Sequence, residues 1–252
     1  MDRALPLTVS EDRQQTAMRV EAKPVVRLRD VGKIYDDEGL RVTAIKSVSF
    51  DIPERRFAMI VGPSGSGKTT LLNLIGCIDT PTSGHIEVCG QDVGDLGDNA
   101  ITDFRSRNIA FIFQNFNLSP VLTAYENVEY PLLLLRVPAA ARREQTASML
   151  ESVGLWAQRN HRPNQLSGGQ KQRVAVARAL VKKPTLVLAD EPTANLDTHT
   201  GAEIIALMRK VQEEHAASFV FSTHDPQLIS HAEETFAIRD GELVEHRCEE
   251  RT

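Results

Sequence analysis

The feature that most constrains this chain is the run Gly62-Pro63-Ser64-Gly65-Ser66-Gly67-Lys68-Thr69, followed by Thr70. It satisfies the spacing G-x-x-x-x-G-K-[ST] in full. Glycines in this order let successive backbone N–H groups curl around a phosphate chain without side-chain clashes. A helix beginning there would add the positive end of its dipole. Lys68 can reach terminal phosphates, and the Thr69 hydroxyl can join the shell of a magnesium ion. The context matches. Phe57-Ala58-Met59-Ile60-Val61 reads as a strand buried on both faces, and Leu71, Leu74, Ile75 and Ile78 then recur at helical spacing. A dinucleotide fingerprint does not fit, because Gly65-Ser66-Gly67 lacks a third glycine at the required offset.

Three more apolar runs end in polar residues. Ile109-Ala110-Phe111-Ile112-Phe113 ends at Gln114, Leu186-Val187-Leu188-Ala189 at Asp190 and Glu191, and Phe219-Val220-Phe221-Ser222 near His224. With helical segments between them they predict a mostly parallel α/β core, whose ligands bind at the C-terminal ends of the strands. Beside a phosphate loop, Asp190 is suited to bind magnesium and Glu191 to orient or deprotonate an attacking water. Val25 to Val31 and Val48 to Ile52 read as strands. Asp240-Gly241, between two alternating runs, predicts a hairpin. Arg142 to Val153 predicts a helix, and about 90–164 reads as a helical insertion.

Composition narrows the partners. Lys plus Arg number 29 against 34 Asp plus Glu, a net charge of −5, which gives no electrostatic case for nucleic acid. The three cysteines, Cys77, Cys89 and Cys248, form no C-x-x-C pair, so neither a zinc site nor a redox dithiol is expected, and a reducing compartment fits. No stretch approaches the ~18 to 20 apolar residues of a membrane span. Residues 1–23 are expected to be a disordered leader, 24–248 one domain, and 249–252 a tail.

The run Leu166-Ser167-Gly168-Gly169-Gln170, with Lys171 to Leu180 after it, resembles the signature of ATP-binding-cassette (ABC) ATPases, and the resemblance extends over roughly Val25 to Glu245. It implies a phosphate-loop core with an antiparallel β subdomain and an α-helical subdomain. It also implies a head-to-tail homodimer around two MgATP, in which Ser167, Gly168, Gly169 and Gln170 of one chain cap the ATP held by the other. By the same resemblance Tyr35 would stack on adenine, and Gln114 would touch Mg²⁺ and report to a membrane partner. Asn195-Leu196-Asp197 would link the two sites, and His224 would contact the γ-phosphate. Catalysis would then rest on Glu191, His224, Lys68 and Gln114, and the metal on Thr69, Gln114 and Asp190. Asn195 stands where the family usually has a small residue, and Arg55-Arg56 where it usually has Gly-Glu.

Gly76 to Gly84, Phe113 to Leu118 and Leu122 to Val128 are similar to the macrolide-export and lipoprotein-releasing group. This implies an integral membrane permease as partner and a peripheral place on the cytoplasmic face of the membrane. Amino-acid importers and a regulatory ATPase of cell division carry similar strings and remain alternatives. Phe116, Leu118, Val121, Leu122 and Tyr130 are apolar candidates for the groove that receives the permease. A soluble repair or translation cassette would usually bring a second cassette, a coiled coil or a basic surface. A small-molecule phosphotransferase would not need the signature.

Overall fold

The computed structural model describes residues 23–37 and 39–248. The expected leader, except for its last residue, and the expected tail lie outside them. The elements run β1 (Pro24–Asp37), β2 (Leu40–Pro53), β3 (Phe57–Val61), α1 (Lys68–Ile75), β4 (Ser83–Val88), β5 (Gln91–Asp92), α2 (Asp98–Asn108), β6 (Ile109–Ile112), α3 (Ala124–Leu134), α4 (Ala139–Ser152), α5 (Gly168–Leu180), β7 (Leu186–Asp190), α6 (Thr198–His215), β8 (Ser218–Thr223), α7 (Pro226–Ile229), β9 (Glu234–Arg239) and β10 (Glu242–Cys248).

Two sheets organise the chain. One has the order β10-β9-β3-β8-β7-β6, the other β2-β1-β4-β5. Pairing is parallel from β9 through β3, β8 and β7 to β6, and antiparallel throughout the smaller sheet. The central strands are buried on both faces, as their unbroken apolar runs require. Their side chains divide with period two. Phe57, Met59, Val187, Ala189, Phe219 and Phe221 pack into one core with α3 to α6. Ala58, Ile60, Leu186, Leu188 and Val220 pack into another with α1 and the antiparallel sheet.

The β9–β10 hairpin turns at Asp240 and Gly241, both with positive φ (51° and 76°), as a two-residue turn of the primed kind demands. Two expectations need correction. Ile78 is not on α1. The helix ends at Ile75, Gly76 caps it and Cys77 is left-handed (φ 55°), so Ile78 is half exposed. Nor is 90–164 helical throughout. It contains β5, which was not expected and pairs with β4, as well as β6, the strand expected from the run at Ile109, which lies at the edge of the parallel sheet. The helical part proper begins after β6. There Thr123 caps α3 in a capping box with Glu126. Buried Asn127 accepts from Ser119 N and donates to the carbonyls of Ser119, Leu122 and Thr123, fixing the loop that follows Gln114.

Candidate functional site

Because β3, β8, β7 and β6 are adjacent and parallel, their C-terminal ends deliver the phosphate loop, His224, Asp190 with Glu191, and Gln114 to one edge of the sheet. A cavity of about 450 Å³ opens there, lined by Ser64, Gly65, Gly67, Lys68, Thr69, Thr70, Gln114, Asp190, Glu191 and His224, with Val42, Thr43 and Ala44 as its remaining wall. Sequence reasoning missed that wall, since β2 carries no motif there.

Lys68 is nearly buried. Its Nζ donates to the carbonyls of Gly62 (2.9 Å) and Pro63 (3.0 Å), which curls the loop around the ammonium. Two glycines have no substitute here. A Cβ on Gly62 would lie 2.1 Å from Ile238 O, and one on Gly67 (φ 104°) 2.7 Å from Ala44 O. Ser66 lies beneath the loop, buried, and its carbonyl accepts from Gly241 N (3.1 Å). The hairpin turn is thus a brace for the phosphate loop, a role that its sequence does not signal.

The acidic side of the cavity is equally specific. Thr69 Oγ1 sits 3.3 and 3.2 Å from the two oxygens of Asp190, and Ser222 Oγ donates to Asp190 as well. A hydroxyl beside a carboxylate is a hard oxygen set of the kind magnesium accepts together with phosphate and water. Glu191 has φ 45°, a left-handed conformation uncommon for a non-glycine residue, which costs about 1–2 kcal/mol. The turn brings Glu191 Oε1 within 2.7 Å of His224 Nδ1. A carboxylate and an imidazole so joined can order a water and share its proton.

The remaining expected residues lie elsewhere. Tyr35 does not line the cavity. Its hydroxyl donates to Asp79 (2.8 Å) and Lys33 Nζ stands 4.8 Å from its ring centre, while burial and Asp79 hold the phenol above its ordinary pKa. Pro63 is exposed outside the cavity. Ser167, Gly168, Gly169 and Gln170 line a separate cavity of about 470 Å³ with Arg173, Asn195, Leu196, Asp197, Thr200 and Glu203. Ser167 caps α5 in a capping box with Gln170, which leaves Gly168 and Gly169 bare at the helix start. The hydroxyl and N–H of Thr200 hold Asp197 as a carboxylate below the usual range and make it the cap of α6. Two ties join the regions. Asn195 Nδ2 donates to Gln114 O (2.9 Å), and buried Gln172 of α5 donates to Pro192 O (2.7 Å), one residue beyond Glu191.

The profile of the family described as ABC transporter matches residues 45–194, a span that includes the phosphate loop, the signature run and the acidic pair. The chain belongs to the ABC transporter ATP-binding family. An ABC transporter ATP-binding protein of Thermotoga maritima is 48% identical over 221 residues, which cover 88% of this chain and 94% of that one. The lipoprotein-releasing system ATP-binding protein LolD of Bordetella pertussis is 40% identical over 87% and 95%. The macrolide export ATP-binding/permease protein MacB of Brucella melitensis is also 40% identical, and the match spans 34% of that longer chain. A dimeric structure of the cassette MJ0796 bound to ADP and Pi, in a post-hydrolysis state, superimposes with a TM-score of 0.83 at 42% identity, covering 90% of this chain and all of that one. This ABC ATPase therefore binds and hydrolyses ATP. Among its described residues no helix is long and apolar enough to cross a membrane.

Proposed function

We propose that two copies of this chain close head to tail on two MgATP and drive an integral membrane permease on the cytoplasmic face of the membrane, for export or lipoprotein release. The observation that carries the reading is the separation of two phosphate-competent helix starts. The cavity at Lys68 and the cavity at Ser167 share no lining residue, which supports a site completed by a second copy. In the closed pair, backbone N–H groups of Gly65 to Thr69 and Lys68 hold the phosphates from one side. Ser167, Gly168 and Gly169 of the other copy approach from the opposite side. Thr69, Asp190 and Gln114 would hold Mg²⁺, which neutralises charge on the β and γ phosphates when bound. Glu191 orients and deprotonates the attacking water, while His224 keeps Glu191 in register and faces the γ-phosphate. The likeness to LolD and MacB supports the export or release assignment.

Glu191→Gln tests the reading. The variant should bind MgATP with wild-type affinity, hydrolyse it at least ~1,000-fold more slowly, and elute as a dimer in gel filtration with saturating MgATP. A variant that binds ATP yet stays monomeric would sink the head-to-tail arrangement.

A further inference from the structure

Tyr35 stands outside the nucleotide cavity but beside its wall. It pairs across β1 and β2 with Val42, which lines that cavity, and its phenol meets the side chain of Thr70, which lines it too. The ring is 39% exposed, yet it is held by an ion pair. Asp79 Oδ2 accepts from the Tyr35 hydroxyl (2.8 Å), while Asp79 Oδ1 accepts from Lys33 Nζ (2.6 Å) and Thr80 N (2.7 Å). Lys33 also donates to Thr80 O (2.9 Å), and its ammonium stands 4.8 Å from the centre of the Tyr35 ring. Lys33 is nearly buried, so the ring face that it covers is turned inward. The exposed side is the opposite one, a flat aromatic surface beside a cavity built for phosphates.

Asp79 is in turn fixed from α1, the helix that starts at Lys68. That helix ends at Ile75, and the N–H groups of Ile78 (2.9 Å) and Asp79 (3.3 Å) both return to Asn73 O. β1 is tied to the same loop, since Ile34 N donates to Thr82 Oγ1 (3.0 Å) and Thr82 N to Gly32 O (2.8 Å). The position of the Tyr35 ring is therefore set from the helix whose start faces the phosphates, at the opposite end of that helix. A free tyrosine side chain samples several rotamers, and ordering it on a ligand lowers affinity. A hydroxyl bound to a carboxylate that has its own cation is ordered beforehand, because hydrogen bonds to charged groups are the strong ones. An ion pair that served the loop alone would need Lys33 and Asp79 but not the phenol.

We propose that Asp79, held by Lys33, is a positioning residue for base binding, which sets the Tyr35 ring at the distance from α1 that a purine base has from its own phosphates. The proposal rests on the reading of the Lys68 cavity as the MgATP site and on the stacking role that the family resemblance gives Tyr35. It adds how the ring is aimed. Asp79 touches no nucleotide, since both of its oxygens are committed to Tyr35, Lys33 and Thr80. It acts through Tyr35, so its effect belongs to the base and not to the phosphates.

The test compares a nucleotide with its base-free counterpart, MgADP with magnesium pyrophosphate, by calorimetry on the full chain. Tyr35→Ala should weaken MgADP ~5- to 100-fold, the range of one base stacked on an aromatic ring. Asp79→Asn and Tyr35→Phe, which keep the ring and loosen its hold, should each weaken MgADP ~3- to 10-fold. Because they break one linkage, the double variant should lie within about twofold of the weaker single one. Pyrophosphate should bind all four variants within about twofold of wild type. Equal losses for MgADP and pyrophosphate in Asp79→Asn would overturn the proposal, since Asp79 would then serve only the structure of α1. Additive losses in the double variant, or wild-type MgADP affinity in Tyr35→Phe, would overturn it too, and Tyr35→Phe decides the matter even if Asp79→Asn fails to fold. Unchanged MgADP affinity in Tyr35→Ala would remove the stacking role and the proposal together, with the Lys68 cavity unaffected. Failure of the wild-type chain to bind pyrophosphate would instead overturn the reading of that cavity.

Discussion

Lys68 concentrates the chemistry of the phosphate loop in one side chain. Its ammonium already holds the Gly62 and Pro63 carbonyls, so the positive charge is fixed before nucleotide arrives. Lys68→Ala removes both the charge and the loop's internal anchor. A lost charged hydrogen bond is worth about 1.5–3 kcal/mol, so MgATP should bind ~10- to 100-fold more weakly by calorimetry; unchanged affinity would contradict the cradle. The cysteines offer a contrast at the same scale. Burial pushes the Cys77 and Cys89 thiols up to about 11, whereas Cys248 is exposed. Between pH 8 and 9 the two raised thiols stay protonated in the folded chain, and the thiolate is the nucleophile. Iodoacetamide should therefore modify Cys248 first and reach Cys77 and Cys89 only above about pH 10 or on unfolding. Peptide mass mapping after brief exposure checks the order, and early labelling of Cys77 would refute it. Single residues were legible in the sequence where chemistry demands a fixed order, as from Gly62 to Thr69. Asn195 to Gln114 O and Gln172 to Pro192 O were not, because a side chain reaching a distant carbonyl leaves no periodicity to read.

At the scale of elements, the parallel strands were legible because burial on both faces forces unbroken apolar runs that end where polar groups emerge. Strand order was not. Nothing in Ile109 to Ile112 distinguishes an edge strand from the centre, and β1 and β2, 14 residues each, carry bulges that blur their alternation. Nor could the sequence reveal that Gly241 braces Ser66, since a hairpin turn has the same residues whether or not a loop rests on it. The glycines of the phosphate loop put a number on how element geometry selects residues. Gly65 (φ 78°) has open space around its missing Cβ, so Gly65→Ala bears only backbone strain of about 1–2 kcal/mol. A Cβ on Gly67 (φ 104°) would meet Ala44 O and Ile45 Cδ1, both at 2.7 Å. Gly67→Ala adds overpacking of about 1–3 kcal/mol to the same strain. In denaturant melts it should lose clearly more stability than Gly65→Ala; equal losses would mean that the strand β2 wall yields freely.

For the whole molecule the decisive question is whether one chain can build one complete site. Its phosphate loop and its signature helix face different cavities, and Gly168 separates the two requirements cleanly. Gly168 is the first residue of α5, and a Cβ there would meet Leu196 Cδ2 at 3.6 Å, an ordinary contact. An acidic residue at a helix start is favourable to that helix by about 0.3–1 kcal/mol. Gly168→Asp should therefore leave the monomer as stable as wild type or slightly more so, and leave its ATP affinity within about twofold. Yet in the proposed head-to-tail pair the new carboxylate would stand where the partner copy brings phosphate, and like charges would repel there by several kcal/mol. The variant should fail to dimerise on MgATP, even with Glu191→Gln in the same chain, and hydrolysis should fall at least ~100-fold. Calorimetry and gel filtration on one preparation decide it. If Gly168→Asp loses ATP affinity in the monomer as Lys68→Ala does, then the two helix starts serve the same nucleotide within one chain, and the head-to-tail dimer is wrong. If affinity persists while association is lost, the site belongs to the pair, and a lone chain holds ATP without the means to cleave it.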